Sequence, residues 1–175
     1  LGPTPPLPEF PSNIEVLQVY PLPNPEEVSV DPTETFFLTG GNDGYMYKVD
    51  LESGASEQVL TPRDFNPSAF EGMTDEAMRA FCNGEIPDEV TCGRILGIRF
   101  SQKSAKYVYV ANSYFGIYLF KFGRNGHNKL FQLVDKTGSF INDVLESGRY
   151  VFYTDSHTYK QRNAVPYAVM DLDAP

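Results

Sequence analysis

Short runs of β-forming residues, cut at close intervals by Gly, Pro and Asn, are the feature that most limits how this chain can fold. Residues 26–30 (EEVSV), 35–39 (TFFLT), 45–50 (YMYKVD) and 56–60 (SEQVL) form a first group. The breaks fall at Asp31-Pro32, at Gly40-Gly41-Asn42-Asp43-Gly44 and at Glu52-Ser53-Gly54. Asn-Asp-Gly and Ser-Gly supply the positive φ that tight hairpins need. Four strands in so short a span read as a meander, and a four-stranded meander is one blade of a propeller. A second group follows at 95–100, 107–111, 117–122 and 130–134, and a third begins at 140–145 and 149–154, with a further strand at 167–172.

The predicted layout is a Pro-rich extended arm over 1–13 and an all-β domain over 14–175. Within it, blade one covers about 24–61, an insert covers 62–93, blade two covers 94–135 and the start of blade three covers 139–175. In the insert, Thr74 followed by Asp75 and Glu76 predicts a capped helical turn, because acids near a helix start meet its positive dipole end. Residues 14–20 (IEVLQVY) alternate apolar and polar and predict one more strand. A propeller closes with at least about four blades. The chain supplies about two and a half, so alone it is expected not to close.

Composition narrows the function classes. With 14 Lys and Arg against 23 Asp and Glu, the net charge is −9. Nucleic acid and anionic membranes need a basic surface, so neither is an expected partner. No run of about 18 apolar residues occurs, which predicts no transmembrane helix within the chain. The sequence opens at Leu1 on a proline-rich stretch without a signal peptide, which reads as a processed boundary. No GxSxG elbow and no Asn-X-Ser/Thr sequon is present.

The two cysteines, Cys82 and Cys92, bracket a short polar loop. They form no CxxC motif, and His127 and His157 are not spaced to complete a zinc site with them. A disulfide closing the loop is the preferred reading, and it implies an oxidising compartment. Two free buried thiols remain the alternative at this level. Both histidines read as surface residues.

Four groups of residues, in order, resemble the strictosidine synthase-like family. They are Asn24-Pro25-Glu26-Glu27-Val28 with Thr39-Gly40-Gly41-Asn42-Asp43-Gly44, and Cys82 with Cys92-Gly93-Arg94-Ile95-Leu96-Gly97-Ile98-Arg99-Phe100. The third is Ala111-Asn112-Ser113-Tyr114-Phe115-Gly116-Ile117-Tyr118. The fourth is Phe140-Ile141-Asn142-Asp143-Val144 with Phe152-Tyr153-Thr154-Asp155-Ser156 and Tyr159-Lys160-Gln161-Arg162. The chain departs from the family at Ile95, where Pro is usual, and at Asn112, often Asp.

The resemblance implies a six-bladed β-propeller of which this chain is the N-terminal half. The 14–20 strand would then complete the last blade. The partner is the missing C-terminal half, in the same precursor or as a separate chain. The resemblance also implies a Cys82–Cys92 disulfide. It implies a secreted or lumenal setting: extracellular, vacuolar, or membrane-anchored through a segment outside this chain.

Two chemistries occur on this scaffold. One is arylester or lactone hydrolysis with calcium in the central channel, held by carboxylate and amide oxygens. The resemblance puts Glu26 and Asn142 at ligand positions. Without it, Glu26 reads as a solvated turn acid and Asn142 as an Asx turn. Asp143 should face the other way, since successive strand side chains alternate. The other chemistry, strictosidine synthase-type condensation, depends on a glutamate in the absent half, and Asn142 sides with the metal-binding branch. Tyr114 and Phe115 read either as lining of the pocket mouth or as cross-strand packing. A non-catalytic propeller that binds a partner or small ligand is the alternative to an enzyme.

Overall fold

The computed structural model describes residues 19–84, 88–123, 127–135 and 140–156. Four strands come first: β1 (Val28–Val30), β2 (Phe36–Gly40), β3 (Met46–Asp50) and β4 (Ser56–Leu60). They form one antiparallel meander in the order β1-β2-β3-β4. Four more, β5 (Ile95–Ser101), β6 (Ser104–Asn112), β7 (Gly116–Lys121) and β8 (Lys129–Asp135), repeat that order in a second sheet. The hairpin β9 (Ile141–Ser147) and β10 (Tyr150–Asp155) forms a third. The chain is mostly β, as the turn-punctuated pattern predicts. The arm over 1–13, the strand expected at 14–20 apart from Val19 and Tyr20, the strand expected at 167–172 and His157 lie outside the described residues.

The hairpins are set by polar side chains at their turns. The Asp31 carboxylate accepts hydrogen bonds from the backbone N–H of Thr33 (2.9 Å), Thr35 (2.7 Å) and Phe36 (2.9 Å), which fixes the β1–β2 corner. Burial pushes this carboxyl up, but the bonds from Thr33, Phe36 and Thr35 outweigh it and hold its pKa at about 2. The Asn42-Asp43-Gly44 turn has a second role. Gly44 has φ 78°, and a Cβ there would lie 2.1 Å from the Cys92 carbonyl oxygen. Only glycine lets this turn approach the cysteine loop so closely. The buried Asp43 accepts hydrogen bonds from Tyr45 N–H and the Tyr47 hydroxyl, and burial raises both the Asp43 and the Tyr47 pKa.

The insert between the first two sheets is more helical than the sequence reading expects. Helix α1 (Pro62–Phe65), a 3-10 turn (Pro67–Phe70), α2 (Asp75–Cys82) and α3 (Glu89–Cys92) follow β4. Helix α2 is the expected one, with Thr74 Oγ1 accepting from Ala77 N–H. The two one-turn helices lie below the length at which periodicity is legible. The Cys82–Cys92 disulfide joins the ends of α2 and α3. Around it pack Tyr45, Tyr47, Phe70 and Met78, so the insert is sealed onto the β2–β3 hairpin.

Strand β5 sits at the centre. It packs beside β1 and β2 on one side and beside β9 on the other. The seam between the first two sheets holds the largest core, with Leu38, Met46, Leu60, Ile95, Ile98 and Val108 among its buried residues. The seam between the second and third is smaller, with Ala111, Ile117, Ile141 and Val144.

Candidate functional site

The first strands of the three sheets bring charged and amide side chains alongside β5, between Arg94 and Arg99. Gly97 permits this: a Cβ there would lie 2.8 Å from the Asp143 Cα and 3.1 Å from the Asn142 carbonyl oxygen. On the opposite flank, Ile98 N–H donates to Glu27 Oε2 at 2.7 Å. Glu26 and Glu27 before β1, Arg94 and Arg99 on β5 and its approach, and Asn142 and Asp143 on β9 therefore gather where the three strands meet.

Two arginines organise the carboxylates. Arg99 pairs with Glu27 and lies 3.5 Å from Asp143 Oδ2, so one guanidinium bridges elements from all three sheets. Arg94 is buried, with a side chain 7% exposed, and it donates to Glu26 Oε2 at 2.6 Å. It also faces Glu89 at 3.8 Å, and the Tyr114 hydroxyl reaches Glu89 Oε2 at 3.1 Å. A chain Glu26–Arg94–Glu89–Tyr114 thus runs from β1 to the β6–β7 turn.

Sequence-predicted residues fall as follows. Glu26 is half exposed and held by Arg94 through one oxygen. Asn142 is exposed, and its amide nitrogen donates to Ser156 Oγ at 3.4 Å, which leaves Oδ1 as an acceptor. Asp143 turns to a different environment, half-buried against Arg99 with one oxygen accepting from Val144 N–H at 2.7 Å, as strand alternation predicts. Tyr114 is buried. Phe115 packs against the larger core, and its carbonyl accepts from the Tyr118 hydroxyl at 3.3 Å and Gln132 Nε2 at 3.0 Å. Sequence reasoning missed Arg94, Arg99, Glu27 and Glu89. The signal available was a charged residue, Arg99, set between Ile98 and Phe100 in an otherwise apolar run.

Buried polar atoms cluster beside this chain. Among the described residues, Arg94 Nε, Asn112 Nδ2 and Ser113 Oγ have no hydrogen-bond partner, while Asn112 Oδ1 accepts from Arg94 N–H and Tyr114 N–H. Buried polar groups ordinarily carry partners, so these three atoms stand out beside the Glu26–Arg94–Glu89–Tyr114 chain. Calcium is bound through six to eight oxygens. The donors here fit as part of such a shell: a free Glu26 carboxylate oxygen and Asn142 Oδ1 are both hard oxygen ligands. Among the described residues, no group of three or more His, Cys, Asp and Glu side chains is arranged to hold an ion unaided.

Comparison with known proteins bears out the resemblance seen in the motifs. The chain is 36% identical over 95 residues to the adipocyte plasma membrane-associated protein of Gallus gallus, a match covering 50% of this chain and 22% of that protein. It is 31% identical over 99 residues to the protein of the same name from Salmo salar, covering 53% of this chain and 23% of the relative. The chain therefore matches less than a quarter of the length of these relatives. No family model matches. Among the described residues, no helix is long and apolar enough to cross a membrane.

Proposed function

We propose that this chain is the N-terminal half of a six-bladed β-propeller and supplies one side of a calcium-dependent ester or lactone hydrolase site. The observation that carries this reading is the meeting of β1, β5 and β9, where Glu26 pairs with Arg94 just before β5 and the Asn142 backbone lies against Gly97 of β5. First strands of successive meanders lie side by side when blades are arranged around a channel. Glu26 and Asn142 would hold the ion together with oxygens from the C-terminal half, the proposed partner, in the same precursor or as a separate chain. Bound calcium would polarise the ester carbonyl and lower the pKa of a water.

The chain's own residues position these ligands. Arg94 holds the Glu26 carboxylate against β5. Arg99 neutralises Glu27 and Asp143, so like-charge repulsion does not drive these two carboxylates apart. The disulfide supports a secreted or lumenal setting. The same arginines favour a second reading, a non-catalytic propeller binding a partner or small ligand, because they balance these acids without a metal.

Arylester hydrolysis by the whole protein, C-terminal half included, separates the two. Glu26→Gln and Asn142→Ala should each lower calcium-dependent hydrolysis about 100-fold, as loss of a metal-site residue commonly does. Full hydrolysis in both variants overturns the ligand assignment. A wild-type protein with no hydrolysis in saturating calcium supports the binding reading instead.

A further inference from the structure

The negative balance of the chain is unevenly spread. Between Glu89 and Asp135 the sequence holds none of its 23 carboxylates but seven of its 14 Lys and Arg. That block is the second sheet. At one end, Arg94 and Arg99 are matched by acids that flank the sheet in sequence or lie near its neighbours. At the other end, Lys103 pairs with Glu146 at 3.0 Å. Lys106, Lys121 and Lys129 have no such match: among the described residues none of them forms an ion pair.

These three lysines, with Tyr107, Phe122 and His127, line a groove of about 620 Å³ where β6 begins and β7 ends. Lys121 stands in register between Tyr107 of β6 and Lys129 of β8. Its ammonium lies 5.4 Å from the centre of the Tyr107 ring. Like charges directly opposite across a ladder destabilise it. The fold gains nothing from the Lys121–Lys129 pair, whereas a bound polyanion would relieve it.

We propose that this groove binds an extended sulfated polysaccharide. Three lysines lining one groove suit the closely spaced sulfates of a chain, and lysine is a strongly hydrated point charge that needs no planar partner. Tyr107 and Phe122 add an apolar component to the lining, which suits the faces of sugar rings between the sulfates. A flat bilayer reaches only the rim of a groove. The disulfide places the protein in an oxidising compartment, where sulfated polymers rather than nucleic acids are the polyanions met. The net charge of −9 does not oppose this, because charges beyond a Debye length of about 8 Å are largely screened at physiological ionic strength.

Immobilised heparin tests the proposal with the whole protein. Lys106→Gln/Lys121→Gln/Lys129→Gln should weaken binding about tenfold or more and flatten its salt dependence, since fewer counterions are released. The control Lys48→Gln/Arg63→Gln/Arg149→Gln removes the same charge elsewhere and should stay within about twofold. Circular dichroism checks that both triple variants are folded. If the groove triple variant is not, the exposed Lys106→Gln alone should cost about threefold. Desulfated heparin should not bind. Unchanged binding by the groove variants, equal loss in the control, or tighter binding to phosphatidylserine vesicles than to heparin would overturn it.

Discussion

The two seams that flank the second sheet are built differently. The first is apolar: Leu38 and Met46 from the first sheet meet Ile95, Ile98 and Val108 from the second, all nearly or fully buried. Among the described residues, the second has a core of four buried residues, and it completes itself with a carboxylate. Glu146 of β9, 3% exposed, accepts from Ser101 Oγ at 2.7 Å, from Gln102 N–H at 2.7 Å and from the Tyr109 hydroxyl at 3.4 Å. Apolar burial is non-directional, so the first seam holds two sheets together without dictating fine alignment. Hydrogen bonds to a buried carboxylate are directional, so the second seam fixes where β9 sits. That alignment sets the level of Asn142 against β5.

The contrast can be broken by cavity-forming substitutions. Ile98→Ala in the first seam should cost about 3–5 kcal/mol, and Ile141→Ala in the smaller second seam about 2–3 kcal/mol. Urea unfolding of the whole protein, followed by circular dichroism, measures both. The reverse order would remove the distinction between a strong and a weak seam.

A gentler change sharpens it. Glu146→Gln keeps the shape but removes the charge, and should cost about 1–3 kcal/mol because Ser101 and Gln102 lose a charged acceptor. Burial pushes the Glu146 pKa up, but the bonds from Ser101, Lys103 and Gln102 outweigh it and leave it below the ordinary 4.5. A carboxyl depressed in the folded state stabilises fully above its unfolded pKa, and that contribution is lost as pH falls through the folded value. The gap between wild type and Glu146→Gln should therefore be constant from neutral pH down to about 5 and shrink below 4.5. A gap that does not narrow under acid would mean the clasp acts through shape alone.

The strands were legible in the sequence because their turns are chemical: Asp31, the Asn42-Asp43-Gly44 cluster and the Gly-rich breaks each act locally. Helices α1 and α3 were not, since each is a single turn, too short for a period to show, even though Thr61 and Asp64 cap the first and Asp88 caps the second. The disulfide itself was left between two readings by spacing alone, and the family resemblance decided it correctly. At the candidate site, alternation separated Asn142 from Asp143, but no local rule predicts that Arg99 spans three sheets or that Arg94 reaches Glu26. Those pairs join residues far apart in sequence, and only the packing of β5 between β1 and β9 brings them within reach.

Calorimetric titration of calcium into the whole protein bears most directly on the proposed role of that meeting point. Wild type should bind one ion in the channel, and Glu26→Gln and Asn142→Ala should each weaken binding by about tenfold or more, in line with the loss of a ligand or its supporting group. Equal affinity in wild type and both variants would contradict the account, since it would place the ion, or its absence, apart from these two residues.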